Sequence, residues 1–264
     1  MKAIILSAGQ GKRLLPMTAS IPKCLLEVRG KTIIEWQIDE LLKCGVDRIT
    51  VVTGYGADKV DNLLQRRYGA QSIQTHYNPD YATTDNLVSC WKVRQHMTED
   101  FILLNGDTLF EAAVVQNLLM SPANPITVTV SHKDIYDSDD MKVSLEGSRL
   151  VKVGKDISSG NIDGESIGMI LFRETGPMIF RNGLENALAD KEAVRRWYLS
   201  VIDDIAQEKT VLTYSIKGLA WCEVDYPADL KQADRVVAAF NSNGMGFAAS
   251  GNSQRQKTAA NHRR

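Results

Sequence analysis

Long apolar runs are missing from this chain. No stretch approaches the roughly 20 residues that cross a bilayer, and the apolar start, Met1 to Leu6, is too short for a secretory leader. The expectation is a cytoplasmic protein without membrane insertion. An excess of positive charge is missing too: 31 basic residues stand against 32 acidic ones, a net charge of -1. A dedicated nucleic-acid binder would show a basic excess or stripe. Cysteine is sparse, and its four positions (Cys24, Cys44, Cys90, Cys222) lack CxxC spacing, so neither a zinc site nor a disulfide framework is indicated. Histidine is as rare, and none of His76, His96, His132 and His262 is given a role. No internal repeat is visible.

What is present is ordinary for a globular enzyme: 44% hydrophobic and 24% charged residues over 264 positions, enough for one sizeable core or a core with a smaller lobe. Ala3 to Leu6 reads as a strand buried on both faces. Residues 32–44 follow as an amphipathic helix, with Ile34, Ile38, Leu41 and Leu42 at helical spacing and Gly45 as the stop. Then come a β-branched strand from Ile49 to Thr53, a helix at 57–67, a strand at 72–76, a helix at 86–97 and an apolar strand from Phe101 to Leu104. That alternation predicts an α/β fold, a doubly wound and mostly parallel sheet, with ligands beyond the carboxyl ends of the strands. The second half is less regular. Strands are expected at 126–131, 167–172, 211–216 and 221–224, a hairpin over 141–153 turning at Glu146-Gly147, and helices at 192–208 and 227–240. From Asn241 the chain is rich in Asn, Ser and Gly and is read as a disordered tail, 241–264.

Leu6 to Leu14 read Leu-Ser-Ala-Gly-Gln-Gly-Lys-Arg-Leu as they leave the first strand. Glycines there let backbone N–H groups approach phosphate oxygens. The spacing is not GxxxxGK[ST], and Leu14 takes the third position that a dinucleotide loop gives to glycine. The cations Lys12 and Arg13 suit a triphosphate better than a dinucleotide. Lys23, after Pro22, can reach the same phosphates. Gly106-Asp107 ends the strand from Phe101, where a carboxylate suits Mg²⁺. Asp225 is the second candidate, with service to the following helix as its competing role.

The stretch from Met1 to Val46 closely resembles the start of the sugar-nucleotidyltransferase superfamily, an apolar strand followed by LxAGxGxRLxPLT and PKxLxxVxGKPxIE. Ser7, Cys24 and Thr32 depart from that pattern without removing a charge. The resemblance implies a Rossmann-like nucleotidyltransferase fold with a small additional β-containing substrate lobe. It implies one domain over 1–240, with a nucleotide-binding half (1–110) and an acceptor-binding half (111–240). Leu6, Ala8 and Gly9 would line base and ribose, Gly11, Lys12, Arg13 and Lys23 would handle phosphates, and Asp107 and Asp225 would hold Mg²⁺. Arg13, Lys23 and Asp107 are the catalytic candidates.

The segment from Tyr77 to Trp91, with Thr84 and Asn86, lacks the glycine-rich loop of sugar-1-phosphate uridylyl- and thymidylyltransferases. It is similar to the phosphocholine, phosphonate and inositol-phosphate cytidylyltransferase branch. CTP is therefore the expected donor and a small phosphorylated molecule the acceptor. Tyr77, Thr84, Asn86 and Gly106 join the expected nucleotide site. Lys155, Glu165, Trp197 and Trp221 form the expected acceptor site, with Lys152 competing with Lys155. Sugar-1-phosphate chemistry with UTP, GTP or dTTP is the alternative within the superfamily, and a non-catalytic nucleotide-binding subunit the alternative outside it. A homo-oligomer is compatible with the sequence.

Overall fold

The computed structural model describes residues 1–69 and 73–243. The expected tail therefore lies almost wholly outside the described residues, and the last helix runs to Asn243. In chain order the first half contains β1 (Lys2–Ser7), β2 (Glu27–Val28), β3 (Lys31–Thr32), α1 (Ile33–Lys43), β4 (Arg48–Thr53), α2 (Ala57–Tyr68), β5 (Ile73–Tyr77), α3 (Asn86–Lys92), β6 (Phe101–Asn105) and β7 (Thr108–Phe110). The second half contains α4 (Ala112–Leu119), β8 (Ile126–Ser131), β9 (Lys142–Glu146), β10 (Arg149–Gly154), β11 (Gly164–Phe172), α5 (Gly176–Ala187), α6 (Tyr198–Glu208), β12 (Leu212–Ser215), β13 (Trp221–Glu223) and α7 (Asp229–Asn243).

Nine strands form one sheet in the order β5-β4-β1-β6-β11-β8-β12-β10-β9. The first four are parallel. From β11 onward the sheet is mixed, with β11 antiparallel to both β6 and β8 and only β8 and β12 paired in parallel. The expected extra β-structure is the β9–β10 hairpin, in which β10 pairs with β12 and β9 pairs back onto β11, and two small ribbons, β2–β3 and β7–β13.

The pleat of β1 explains the layering. Successive side chains of a strand face opposite ways, so Ile4 enters one apolar cluster with Leu103, Ile170 and residues of α3, α5 and α6. Ala3 and Ile5 enter the other, with Ile102, Leu104, Met169 and residues of α1, α2 and α4. Helix α1 starts where its sequence says it should. The Thr32 hydroxyl accepts from the Glu35 amide, and the Glu35 carboxylate accepts from the Thr32 amide at 2.9 Å, a capping box.

A third apolar cluster matters most for function. Leu14, Leu26, Val28, Ile33, Trp36, Leu109, Cys222 and Val224 pack with Val237 and Phe240 of α7. Leu14 is fully buried there, which anchors the Lys12–Leu14 turn by about 1.5–3 kcal/mol. Leu109 and Val224 sit one or two residues from the two candidate aspartates, so a single core clamps loop and carboxylates together.

Three boundaries differ from expectation. The helix expected at 86–97 ends at Lys92, and a short 3-10 turn follows at Arg94–His96. The helix expected at 192–208 is a 3-10 turn (Lys191–Arg195), an extended Trp197 and then α6. The backbone carbonyls of Val194 and Arg196 accept from Asp85 and Leu87 at the start of α3 and so cannot continue a helical ladder. Pro227 does not open α7. The Asp229 carboxylate accepts from the amides of Asp225 (2.8 Å) and Tyr226 (2.7 Å), making a turn ahead of the helix.

Candidate active site

The loop after β1 turns through Gly11, whose φ of +76° lies in the left-handed region. Space also requires glycine there: a Cβ would stand 2.9 Å from Cβ of Lys23. The Thr18 hydroxyl donates to the Gly11 carbonyl at 2.8 Å and closes the turn. Gly11 therefore acts from behind, letting the Lys23 stem run beneath the loop.

At the end of β6, the Gly106 amide donates to the Leu6 carbonyl at 2.9 Å. A Cβ on Gly106 would lie 2.3 Å from Ser7 Oγ and 2.6 Å from Leu6 O. This contact sets the tips of β1 and β6 side by side and turns Asp107 toward the loop. Antiparallel pairing of β7 with β13, with Glu223 opposite Thr108, then brings Asp225 beside Asp107. The Val224 amide donates to the Asp107 carbonyl at 3.2 Å.

Between these carboxylates stands Lys23. Its Nζ donates to Asp107 Oδ2 at 2.7 Å and to Asp225 Oδ1 at 2.6 Å, and its side chain is only 13% exposed. Burial opposes the ammonium charge, but the two aspartates outweigh it and raise the Lys23 pKa, so the cation is held charged. Arg13 lies alongside, 2.8 Å from Asp225 Oδ1 and 3.0 Å from Asp139 Oδ2, with its guanidinium over the Tyr226 ring. The third carboxyl, Glu223, is pushed up to about 8, by burial first and then by Asp107 and Asp225.

Asp107 Oδ1 is buried and has no hydrogen-bond partner. A buried orphan oxygen is costly, and this one belongs to a pair of carboxylates already gathered around a cation. Such a donor set fits Mg²⁺, which takes a few protein oxygens and fills its other positions with water and phosphate. Among the described residues no group of three or more His, Cys, Asp or Glu is placed to hold a metal by itself.

A cleft runs from the β1 loop past Asp107 toward the β9–β10 hairpin. Its first part, about 300 Å³, is bounded by Leu6, Ala8, Gly9, Lys23, Thr84, Asn86, Gly106 and Asp107, with Ser7, Tyr81, Asp85, Ser89 and Asn105. Its second part, about 150 Å³, shares Asn86, Asn105, Asp107 and Trp197 with the first and adds Arg13, Asp139, Lys155, Glu165, Glu223 and Asp225. Asn86 joins the two elements around the cleft, since its Oδ1 accepts from the Tyr198 amide at 2.9 Å and caps α6. That cap holds Trp197 extended, so its ring faces the cleft with Lys155 Nζ 4.2 Å from the ring centroid. Glu165 pairs with Lys133 at 2.8 Å, and burial raises its pKa against that pairing.

Most expected site residues thus meet in one cleft, and four do not. Gly11 and the exposed Lys12 stand outside its lining. Tyr77 points to solvent, 54% exposed, and Tyr81 takes the place expected for it. Trp221 is no part of the cleft. On β13 it faces Phe110, packs on the core and donates from Nε1 to Ser131 Oγ at 2.9 Å. Lys155, rather than Lys152, reaches the cleft. Sequence reasoning missed Asp139, Glu223 and Tyr226. For Glu223 a signal existed: strand alternation puts it on the same side as Asp225. For Asp139, in an irregular loop, none existed.

Comparison with known proteins identifies the family. Residues 3–204 match the model of the MobA-like NTP transferase domain. CMP-5'-(3-aminopropyl)phosphonate synthase of Streptomyces rubellomurinus is 28% identical over 89% of this chain, which spans 38% of that longer protein. Choline-phosphate cytidylyltransferase of Streptococcus pneumoniae is 24% identical over 91% of this chain and 100% of its own length. The solved inositol-1-phosphate CTP transferase of T. maritima superposes with a TM-score of 0.78 at 22% identity, covering 91% of this chain and 96% of that one, which shows a shared fold. Because that family model matches residues 3–204, most of the chain, the chain belongs to the MobA-like NTP transferase family and is a nucleotidyltransferase.

Proposed function

We propose that the chain is a Mg²⁺-dependent cytidylyltransferase. It moves CMP from CTP to a small phosphorylated acceptor, an alcohol phosphate such as phosphocholine, a phosphonate or an inositol phosphate, and releases pyrophosphate. The observation that carries this reading is Lys23, held between Asp107 and Asp225 with Arg13 beside it at the carboxyl ends of β1 and β6. The choice of CTP is supported by relatives matched over nine-tenths of the chain that are named for CMP or cytidylyl transfer.

In this reading the β1 loop and the Thr84–Asn86 segment hold the nucleotide, and the second part of the cleft holds the acceptor. An acceptor phosphate oxygen attacks the α-phosphorus in line. That oxygen is already ionised near neutral pH, so no general base is needed. Asp107 and Asp225 would hold Mg²⁺, whose contribution is to neutralise triphosphate charge. Arg13 and Lys23 orient the phosphates and offset charge that builds on the leaving pyrophosphate.

The test is pyrophosphate release with CTP, UTP, GTP, ATP and dTTP, crossed with phosphocholine, phosphoethanolamine, 2-aminoethylphosphonate, inositol-1-phosphate and several sugar-1-phosphates. CTP-selective release with one non-sugar acceptor is expected. Release with UTP, GTP or dTTP and a sugar-1-phosphate alone would replace the reading with sugar activation.

A further inference from the structure

The loop 132–141 joins β8 to β9 and carries two adjacent aspartates with opposite duties. Asp140 serves the loop: its Oδ2 accepts from the Asp137 amide at 2.6 Å and pairs with Lys133 at 2.7 Å. Asp139 has no side-chain bond to its own loop. Its Oδ2 accepts from Arg13 Nη1 at 3.0 Å and from the Tyr226 hydroxyl at 3.2 Å, and its Oδ1 lies 3.3 Å from Lys155 Nζ. Three donors from three distant segments converge on one carboxylate.

Those donors are held independently of Asp139. Arg13 is tied to Asp225 and stacked on Tyr226, and Lys155 rests on the Trp197 ring. If Asp139 swung away, an Arg, a Lys and a phenol would remain aimed at one point, a geometry suited to a tetrahedral dianion. The side chain of Asp139 is 52% exposed, so it can leave without disturbing a core.

We propose that Asp139 is a resident stand-in for the acceptor's phosphate or phosphonate group: it occupies the subsite formed by Arg13, Lys155 and Tyr226 until an acceptor displaces it. The displacement makes Asp139 a specificity-determining residue. A dianion outcompetes a tethered monoanion for two cations and a hydroxyl, whereas a neutral alcohol or a singly charged carboxylate does not. This inference rests on the transferase reading for the identity of the anion, but the subsite itself is testable without turnover. Lys155, which donates its hydrogen bond to Asp139, is also the chief reason that the Asp139 pKa is lowered.

The experiment is a ³¹P NMR titration of the metal-free, full-length protein with inorganic phosphate, for the parent, Asp139→Asn, Asp139→Ala and Asp139→Asn/Lys155→Met. Removing an exposed competitor of this kind should tighten phosphate binding by roughly 1.5-fold to fivefold, the range expected for a solvent-accessible ion pair. The added Lys155→Met change should cancel the gain, because the gain requires Lys155 and not the β1 loop alone. In steady state, Asp139→Asn should lower the acceptor KM by a similar factor and change the CTP KM less, since Arg13 also faces the triphosphate whereas Lys155 does not. Unchanged or weaker phosphate binding in both Asp139 variants, or a gain that survives Lys155→Met, would overturn the proposal. Absence of pyrophosphate release by the parent protein with every nucleotide would instead overturn the transferase reading, and the phosphate titration would still decide the subsite.

Discussion

Replacing Lys23 by methionine removes the cation between Asp107 and Asp225 while keeping most of the stem's volume. In the parent, Nζ sits 2.7 and 2.6 Å from the two carboxylates, whose side chains are 28% and 26% exposed. Breaking a fully buried pair costs about 3–5 kcal/mol and an exposed one about 0–1. This partly buried triad falls between, so the variant should lose about 2 kcal/mol. For a chain of this size that corresponds to a fall in Tm of roughly 4–8 °C. Adding Mg²⁺ should raise the variant's Tm more than the parent's, since the parent already holds an ammonium between the carboxylates. Activity should fall by about 10²–10³, the loss typical when one preorganised charge-stabilising group is removed. Differential scanning calorimetry with EDTA and with Mg²⁺, followed by a pyrophosphate-release assay, reads all three. A variant as stable and active as the parent, or one whose Mg²⁺ shift is no larger, would refute the argument that Lys23 neutralises this pair.

Other expectations follow from the same geometry. Gly106→Ala places a Cβ 2.3 Å from Ser7 Oγ and 2.6 Å from a backbone carbonyl, so it should cost about 1–3 kcal/mol in urea unfolding and misplace Asp107. Leu14→Ala empties a fully buried position of the third cluster and should cost about 2–5 kcal/mol, with a raised CTP KM because the Lys12–Leu14 turn loses its anchor. Asp107→Asn should abolish Mg²⁺-dependent turnover and leave the circular dichroism spectrum unchanged; retained turnover would exclude Asp107 from the metal site. Burial first, and then Asp107 and Asp225, push the Glu223 pKa in the folded chain up to about 8, from an ordinary 4.5. The unfolded chain therefore gives up this proton first, and stability drains away as pH rises between those two values. In EDTA, Glu223→Gln should raise Tm at pH 8 and change little at pH 4; equal shifts at both would contradict the assignment.

The sequence carried the first half of the fold clearly, because strands such as Ala3–Leu6 are buried on both faces and their helices have single apolar stripes. It carried the four charged residues of the centre as well, Arg13 and Lys23 through the pattern that follows β1, and Asp107 and Asp225 as candidates that the resemblance to nucleotidyltransferases singled out. The second half was harder to read for identifiable reasons. Residues 192–208 read as one helix from sequence, but the start of α3 takes the carbonyls of Val194 and Arg196. Trp221 and Trp197 look alike in sequence, yet cross-strand pairing turns one onto the core while the Asn86 cap turns the other into the cleft. Asp139 belongs to an irregular loop with no periodicity, and only tertiary structure brings it to Arg13, 126 positions away.

The central claim is transfer of the nucleotidyl group itself, and position-specific labelling tests it most directly. The protein would be incubated with Mg²⁺, a phosphorylated acceptor and CTP labelled at either the α- or the γ-phosphate, and the acceptor product isolated. Label from the α-position in the product, with γ-label recovered only in pyrophosphate, is the predicted result. Transfer of the γ-label to the acceptor, or unlabelled acceptor with both substrates, would contradict the account.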